Sequence, residues 1–180
     1  NEVDGVDYHF VSHKKFEELI DQKKFYEYAK IFENYYGTLK KSVDEAILKN
    51  DIIFDIDWQG TKQLSKFKKP IFYDAKFFDI KNTLVESVKS LKNLNINYAT
   101  VHLLNGLDAL KAANQTAQEI NINLLGVSVL TSFNNEDLEV LGFNNKIEDQ
   151  VKRLIKIAMQ ANLYGVICSP LEIKMIKEIA

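Results

Sequence analysis

Apolar positions along the chain follow two rhythms. Phe16, Leu19 and Ile20 recur at helical spacing behind Ser12, which predicts a capped helix over 13–22. A short aromatic strand is predicted around Tyr8–Val11 and a second strand over Phe25–Phe32, with Asn34-Tyr-Tyr-Gly37 as a turn after it. A helix over 40–49 leads into Ile52–Asp57, whose apolar run reads as a buried strand, and helical polarity resumes over 60–67. From Pro70 the pattern becomes regular. Strands at Ile71–Lys76, Tyr98–His102, Leu124–Leu130 and Gly165–Cys168 alternate with helices over 83–94, 106–120, 147–159 and 172–179, broken only by a short polar excursion after Leu130. Repeated strand–helix alternation with short connections is the signature of parallel βα units, so the fold class is α/β.

Composition narrows this reading. A chain of 180 residues makes one domain or two small ones, and 46% hydrophobic with 27% charged residues indicates a globular protein. It is too short for a complete eight-stranded (β/α) barrel, which needs roughly 250 residues. The net charge of −2 argues against nucleic-acid binding. Of the 23 basic residues only Arg153 is an arginine, which weighs against chemistry that surrounds phosphate with several guanidinium forks. Cys168 is the single cysteine, so no disulfide forms within the chain and a cytoplasmic location is expected. The histidines His9, His13 and His102 lie in no metal-ligand spacing, and no metal is expected. No apolar run approaches a membrane span, and the first residues do not form a signal peptide. The chain lacks an initiator Met, which reads as a fragment.

Asp74 and Lys76 stand two apart at the end of a predicted strand, which points both to one face. In a parallel αβ barrel the carboxyl ends of the strands carry the active site. A carboxylate beside an ammonium there can repel a substrate carboxylate and supply a proton where it leaves, with Asp79 adding a second carboxylate from the loop. A structural salt bridge at a strand end accounts for the same spacing.

The run Asp74-Ala-Lys-Phe-Phe-Asp-Ile-Lys-Asn-Thr83, followed by Thr100-Val-His102, Leu124–Ser132 and Val166-Ile-Cys-Ser-Pro170, resembles orotidine 5′-phosphate decarboxylase from about Pro70 to Ala180. The resemblance implies strands three to six of a cofactor-free TIM (β/α) barrel that works as a homodimer. It implies Lys76 as proton donor to C6 of the pyrimidine and Asp74 as the carboxylate facing the departing CO2. Asp79 would reach into the partner's site, where Thr83 would touch the ligand. Thr131 would lie near the base, and His102 either faces the pocket or is a satisfied rim histidine. Phe78 and Lys81 stand where the family often has His and Pro, and Leu103-Leu104-Asn105 replaces a usual small-residue run. The family's outer strand pairs, with a further Asp and Lys and a phosphate-binding Gly-Ile-Arg, are not in this sequence.

Residues 1–66 are different. Glu2–Ser12, Phe25-Tyr-Glu-Tyr-Ala29, Asn34-Tyr-Tyr-Gly-Thr38 and Asp55-Ile-Asp-Trp-Gln-Gly60 resemble the GMP-binding region of guanylate kinase. The resemblance implies that Glu27, Thr38 and Asp55 touch guanine and that Tyr8 and Tyr36 place hydroxyls on the phosphate. Core aromatics with wet tips are the alternative for the tyrosines. The chain contains no GxxxxGK[ST] phosphate loop, and Glu33 stands where the family usually has Gly. A Lys-rich join (Lys66, Lys68, Lys69, then Pro70) separates the two segments and also suits a solvated helix end. Three functions follow in order: a decarboxylase-like lyase of UMP biosynthesis taking orotidine 5′-phosphate or UMP, a kinase-derived GMP-binding module, and an inactive scaffold with only oligomeric contacts.

Overall fold

The computed structural model describes residues 3–67 and 70–180, so Glu2, Lys68 and Lys69 of the sequence motifs lie outside the described residues. The chain divides into two compact units, Asn1–Phe67 and Lys68–Ala180.

The first unit opens with helix α1 (His13–Asp21), capped as expected by the Ser12 side chain, which accepts from the Lys15 amide. It continues through strands β1 (Phe25–Ile31) and β2 (Asn34–Leu39) and helices α2 (Lys40–Ala46) and α3 (Trp58–Leu64). The two strands form an antiparallel hairpin. Asn34–Gly37 is therefore strand and not turn: the chain reverses at Phe32-Glu33, where Phe32 takes φ 54°. Gly37 serves close approach instead, because a Cβ there would lie 2.9 Å from both Glu27 O and Tyr28 Cβ. Phe16 stacks between Phe25 at 4.4 Å and Tyr35 at 5.2 Å, giving this unit an aromatic centre.

Two predicted strands are absent here. Around Tyr8–Val11 only an isolated Asp4–Tyr8 bridge forms. The Asp4 and Asp7 carboxylates take the backbone amides of Phe10 and Val3 at 2.8 Å, and such local bonds compete with a ladder. Ile52–Asp57 is irregular, with Ile53 95% exposed. Apolar character alone does not make a strand without a neighbour to pair with. Asp57 instead caps α3, accepting from the amides of Gln59 and Gly60 at 2.9 Å. Gln63 of α3 bonds both backbone groups of Tyr28, and so meets β1 at one point of its edge.

The second unit is a parallel sheet in the order β3 (Phe72–Phe77), β4 (Tyr98–His102), β5 (Asn123–Val127), β6 (Gly165–Ile167). Sequential order in a parallel sheet, with helices between, is the wall of a (β/α) barrel in part. The connecting helices are α4 (Lys81–Lys89), α5 (Leu107–Glu119), α6 (Asn135–Val140) and α7 (Ile147–Gln160), with α8 (Ile173–Lys177) following β6. Helix α6 replaces the expected polar excursion; Asn134 and Asp137 form a reciprocal capping box that starts it. Helices α5 and α7 end in left-handed Asn121 and Asn162, whose following amides reach back to Ala117 O and Ala158 O, as in Schellman closures.

The core lies between one face of the sheet and these helices. Ala99 and Val101 of β4 and Leu124 of β5 pack with Leu84 and Val88 of α4, Leu110, Ala113 and Ala117 of α5, and Leu154 and Ala158 of α7. Period-two alternation turns Thr100 and His102 to the opposite face. Arg153 is exposed, and Cys168 is half-buried against the cluster of Val151, Ile155 and Ile176. Burial pushes the Cys168 thiol up, with Glu172 adding to it, which is the reverse of an activated nucleophile.

Asn114 joins α5 to the end of α7: its buried amide donates to Ala161 O at 3.2 Å and Asn162 O at 2.7 Å. Asn114→Ala leaves those carbonyls unpaired and is expected to lower stability by about 1–3 kcal/mol. Urea unfolding measures this, and an unchanged midpoint would contradict the assignment.

Candidate functional site

The second unit gathers charge at the carboxyl end of β3. Pairing there is irregular: Tyr73 aligns with Ala99 and Phe77 with Val101, so Asp74, Ala75 and Lys76 face Thr100 alone. Within this bulge Lys76 Nζ lies 2.5 Å from Asp74 Oδ2. Thr100, fully buried, donates its hydroxyl to Asp74 Oδ1 at 2.8 Å and accepts from the Lys76 amide at 2.8 Å.

Magnitudes decide whether this pair is a stability device. The two side chains remain 48% and 45% exposed, and such pairs contribute about 0–1 kcal/mol. Lys76 meanwhile takes φ 47°, left-handed for a residue with a Cβ, at a cost of about 1–3 kcal/mol. The other non-glycine residues with positive φ among those described lie outside the strands. The ion pair does not offset that strain, so the arrangement is better explained by what it presents than by what it stabilises.

Neighbouring candidates are placed less tightly. Asp79 sits exposed in the loop after β3, its amide held by Asn105 Oδ1 at 2.9 Å and its own carboxylate taking the Ile80 amide at 2.7 Å. Asn105 also donates to Phe77 O and His102 O, and so ties the loops after β3 and β4 together. Thr83 is exposed in the first turn of α4. His102 ends β4 beside Phe78, its Nδ1 accepting from the Leu104 amide at 3.3 Å. Burial holds its imidazole below the ordinary histidine value, in the neutral form that such an acceptor requires. Thr131 is exposed in the turn after β5, on the rim of an open cleft of about 580 Å³ shared with Lys146, Ser169 and Glu172. No hydrogen bond joins Thr83 or Thr131 to the Asp74–Lys76 pair among the described residues.

Thr100 and Asn105 were not among the site residues expected from sequence. A signal for Thr100 existed, as a hydroxyl in the middle of apolar β4. Asn105 stood out only as a departure from a small-residue run, and two of its three bonds depend on a loop distant in sequence.

In the first unit Glu27 is buried, 4% exposed, and accepts from the Thr38 hydroxyl at 2.6 Å. Tyr8 and Tyr36 meet edge to face at 6.1 Å, both partly exposed. Asp55 is exposed in the irregular segment before α3 and is joined to neither pair by a hydrogen bond among the described residues. Burial raises the Glu27 carboxyl above the ordinary glutamate value; the Thr38 bond opposes this and the Asp57 charge adds to it. The folded chain therefore keeps a proton where the unfolded chain has released it, and this contribution to stability is lost as pH rises through the raised value. Glu27→Gln is expected to gain stability relative to wild type as pH rises above the ordinary glutamate value. Thermal unfolding of both proteins checks the sign, and a difference that runs the other way would refute it.

Among the described residues no group of three or more His, Cys, Asp or Glu is placed to hold a metal ion, and no helix is long and apolar enough to cross a membrane.

Comparison with known proteins matches residues 23–180 to the profile of the "Orotidine 5'-phosphate decarboxylase / HUMPS family". That match reaches further toward the N-terminus than the Pro70 start suggested by the motifs, into the antiparallel hairpin of the first unit. An orotidine 5′-phosphate decarboxylase of Wolbachia pipientis subsp. Culex pipiens (strain wPip) is 40% identical over 119 residues, 66% of this chain and 53% of that protein. The crystal structure of orotidine 5′-phosphate decarboxylase from Lactobacillus acidophilus superposes with a TM-score of 0.65 at 28% identity, over 77% of this chain and 70% of that one. A guanylate kinase of Paramagnetospirillum magneticum (strain ATCC 700264 / AMB-1) is 50% identical over 66 residues, 36% of this chain but 31% of that protein. The chain thus spans about half the length of the curated decarboxylases it matches.

Proposed function

The chain belongs to the orotidine 5′-phosphate decarboxylase / HUMPS family, and from that premise we propose that its second unit carries a nucleoside monophosphate site for loss of CO2 from orotidine 5′-phosphate. The observation that supports this most is the Asp74–Lys76 contact, held in a strained bulge at the mouth of a parallel sheet. The substrate carboxylate would sit against Asp74, where like charges disfavour the ground state. The bond from C6 to the carboxylate breaks, CO2 leaves, and the electron pair stays on C6. The Lys76 ammonium gives its proton to C6, yielding UMP, and the neutral amine regains a proton from water. In this reading no cofactor takes part. Asp79 extends into the site of a second copy in a homodimer and Thr83 touches the ligand there, while Thr131 and His102 border the base.

Lys76→Ala is expected to lower CO2 release from orotidine 5′-phosphate by roughly 100- to 10,000-fold, the range for losing a proton donor. Release of labelled CO2 at the wild-type rate in that variant would sink the assignment.

A second reading is a guanylate-kinase-derived GMP-binding segment in residues 1–66, alongside the decarboxylase segment 70–180. It is favoured by buried Glu27 and the Thr38 hydroxyl that donates to it. A carboxylate there would accept from guanine N–H groups, Asp55 would add a second acceptor, and Tyr8 and Tyr36 would meet the phosphate. Calorimetric titration separates the readings. Heat with UMP that is lost in Lys76→Ala supports the first, and heat with GMP that is lost in Glu27→Gln supports the second. Silence with both leaves the scaffold role.

A further inference from the structure

We propose that Thr100 is a positioning residue: its single hydroxyl, used as donor and acceptor at once, holds the Asp74 carboxylate and the Lys76 backbone in the geometry that aims the Lys76 ammonium. The catalytic consequence rests on the decarboxylase reading; the geometric part does not.

Between the aligned pairs Tyr73–Ala99 and Phe77–Val101, β3 advances four residues and β4 two. A bulge of that kind leaves backbone groups without a ladder partner and turns side chains to new directions. Thr100 supplies the missing partner, accepting from the Lys76 amide at 2.8 Å. The same oxygen donates its proton to Asp74 Oδ1 at 2.8 Å, and Asp74 Oδ2 takes the Lys76 ammonium. The ring of contacts begins and ends on Lys76, so the backbone twist at φ 47° and the direction of the side chain are set together.

Thr100 is fully buried, and a buried hydroxyl is costly unless bonded. Here both of its capacities are used. Valine has the same shape and neither capacity; serine retains both. Thr116, whose hydroxyl bonds Ala112 O within α5, has no part in the bulge and serves as a control.

Hydrogen exchange of the Lys76 amide, read by NMR on the full chain, tests the geometry without needing activity. In Thr100→Val the amide is expected to exchange at least ~30-fold faster than in wild type, and in Thr100→Ser and Thr116→Val within ~3-fold of it. Equal exchange in wild type and Thr100→Val overturns the proposal. If Thr100→Val does not fold, wild type alone decides: a Lys76 amide exchanging within about tenfold of the unstructured rate overturns it. With orotidine 5′-phosphate, Thr100→Val should lower kcat by about tenfold or more while KM changes little, and Thr100→Ser should restore it. A wild-type chain that releases no CO2, yet shows the expected exchange pattern, upholds the geometry and places the failure on the decarboxylase reading.

Discussion

Between Tyr73 and Phe77 the parallel pairing of β3 with β4 is out of step, and the chemistry of the second unit depends on how that mismatch is accommodated. An ordinary ladder would carry Asp74 and Lys76 past β4 with alternate amides paired to its backbone. The bulge instead hands the Lys76 amide to a side chain, Thr100, and turns the Lys76 main chain left-handed. That is a local loss of regularity inside an otherwise well-buried sheet. It is tolerated because Ala99 and Val101, on either side of Thr100, are fully enclosed by helices and hold β4 in place.

The two units are stabilised differently. In the second, small residues along α5 and branched ones on α4 and α7 close over the sheet, leaving its other face to polar groups at the strand ends. In the first, stacked Phe16, Phe25 and Tyr35 take the place of a broad aliphatic core, and a carboxylate, Glu27, is buried next to Gly60 of α3. Gly60 approaches that carboxylate so closely that a Cβ would lie 2.7 Å from it. A buried acid kept in a tight polar recess destabilises the fold unless something donates to it, and the Thr38 hydroxyl does so. Each unit therefore keeps one carboxylate under control with one threonine hydroxyl, Glu27 with Thr38 and Asp74 with Thr100.

Much of the second unit was readable in the residues. Its four strands and the helices after them fall where apolar spacing placed them, because each βα unit buries a face defined by local periodicity. The first unit was harder. Asn34–Gly37 carries turn-forming residues yet is strand, since Gly37 answers to the crowding of β1. Ile52–Asp57 carries strand-forming residues yet pairs with nothing among the described residues. In both places propensity lost to what lies opposite in space.

The residues alone determined the alternation of parallel βα units, the presence of a carboxylate–ammonium pair two apart, and a basic complement that is almost all lysine. Tertiary structure decided the rest: that β3 bulges at Asp74–Lys76, that Thr100 closes the bulge, and that Asn105 ties down the loop of Asp79. Hydrophobic periodicity is written in neighbouring positions, whereas a bulge and its hydrogen-bond partner are properties of two strands separated by more than twenty residues, brought into register only when the sheet forms.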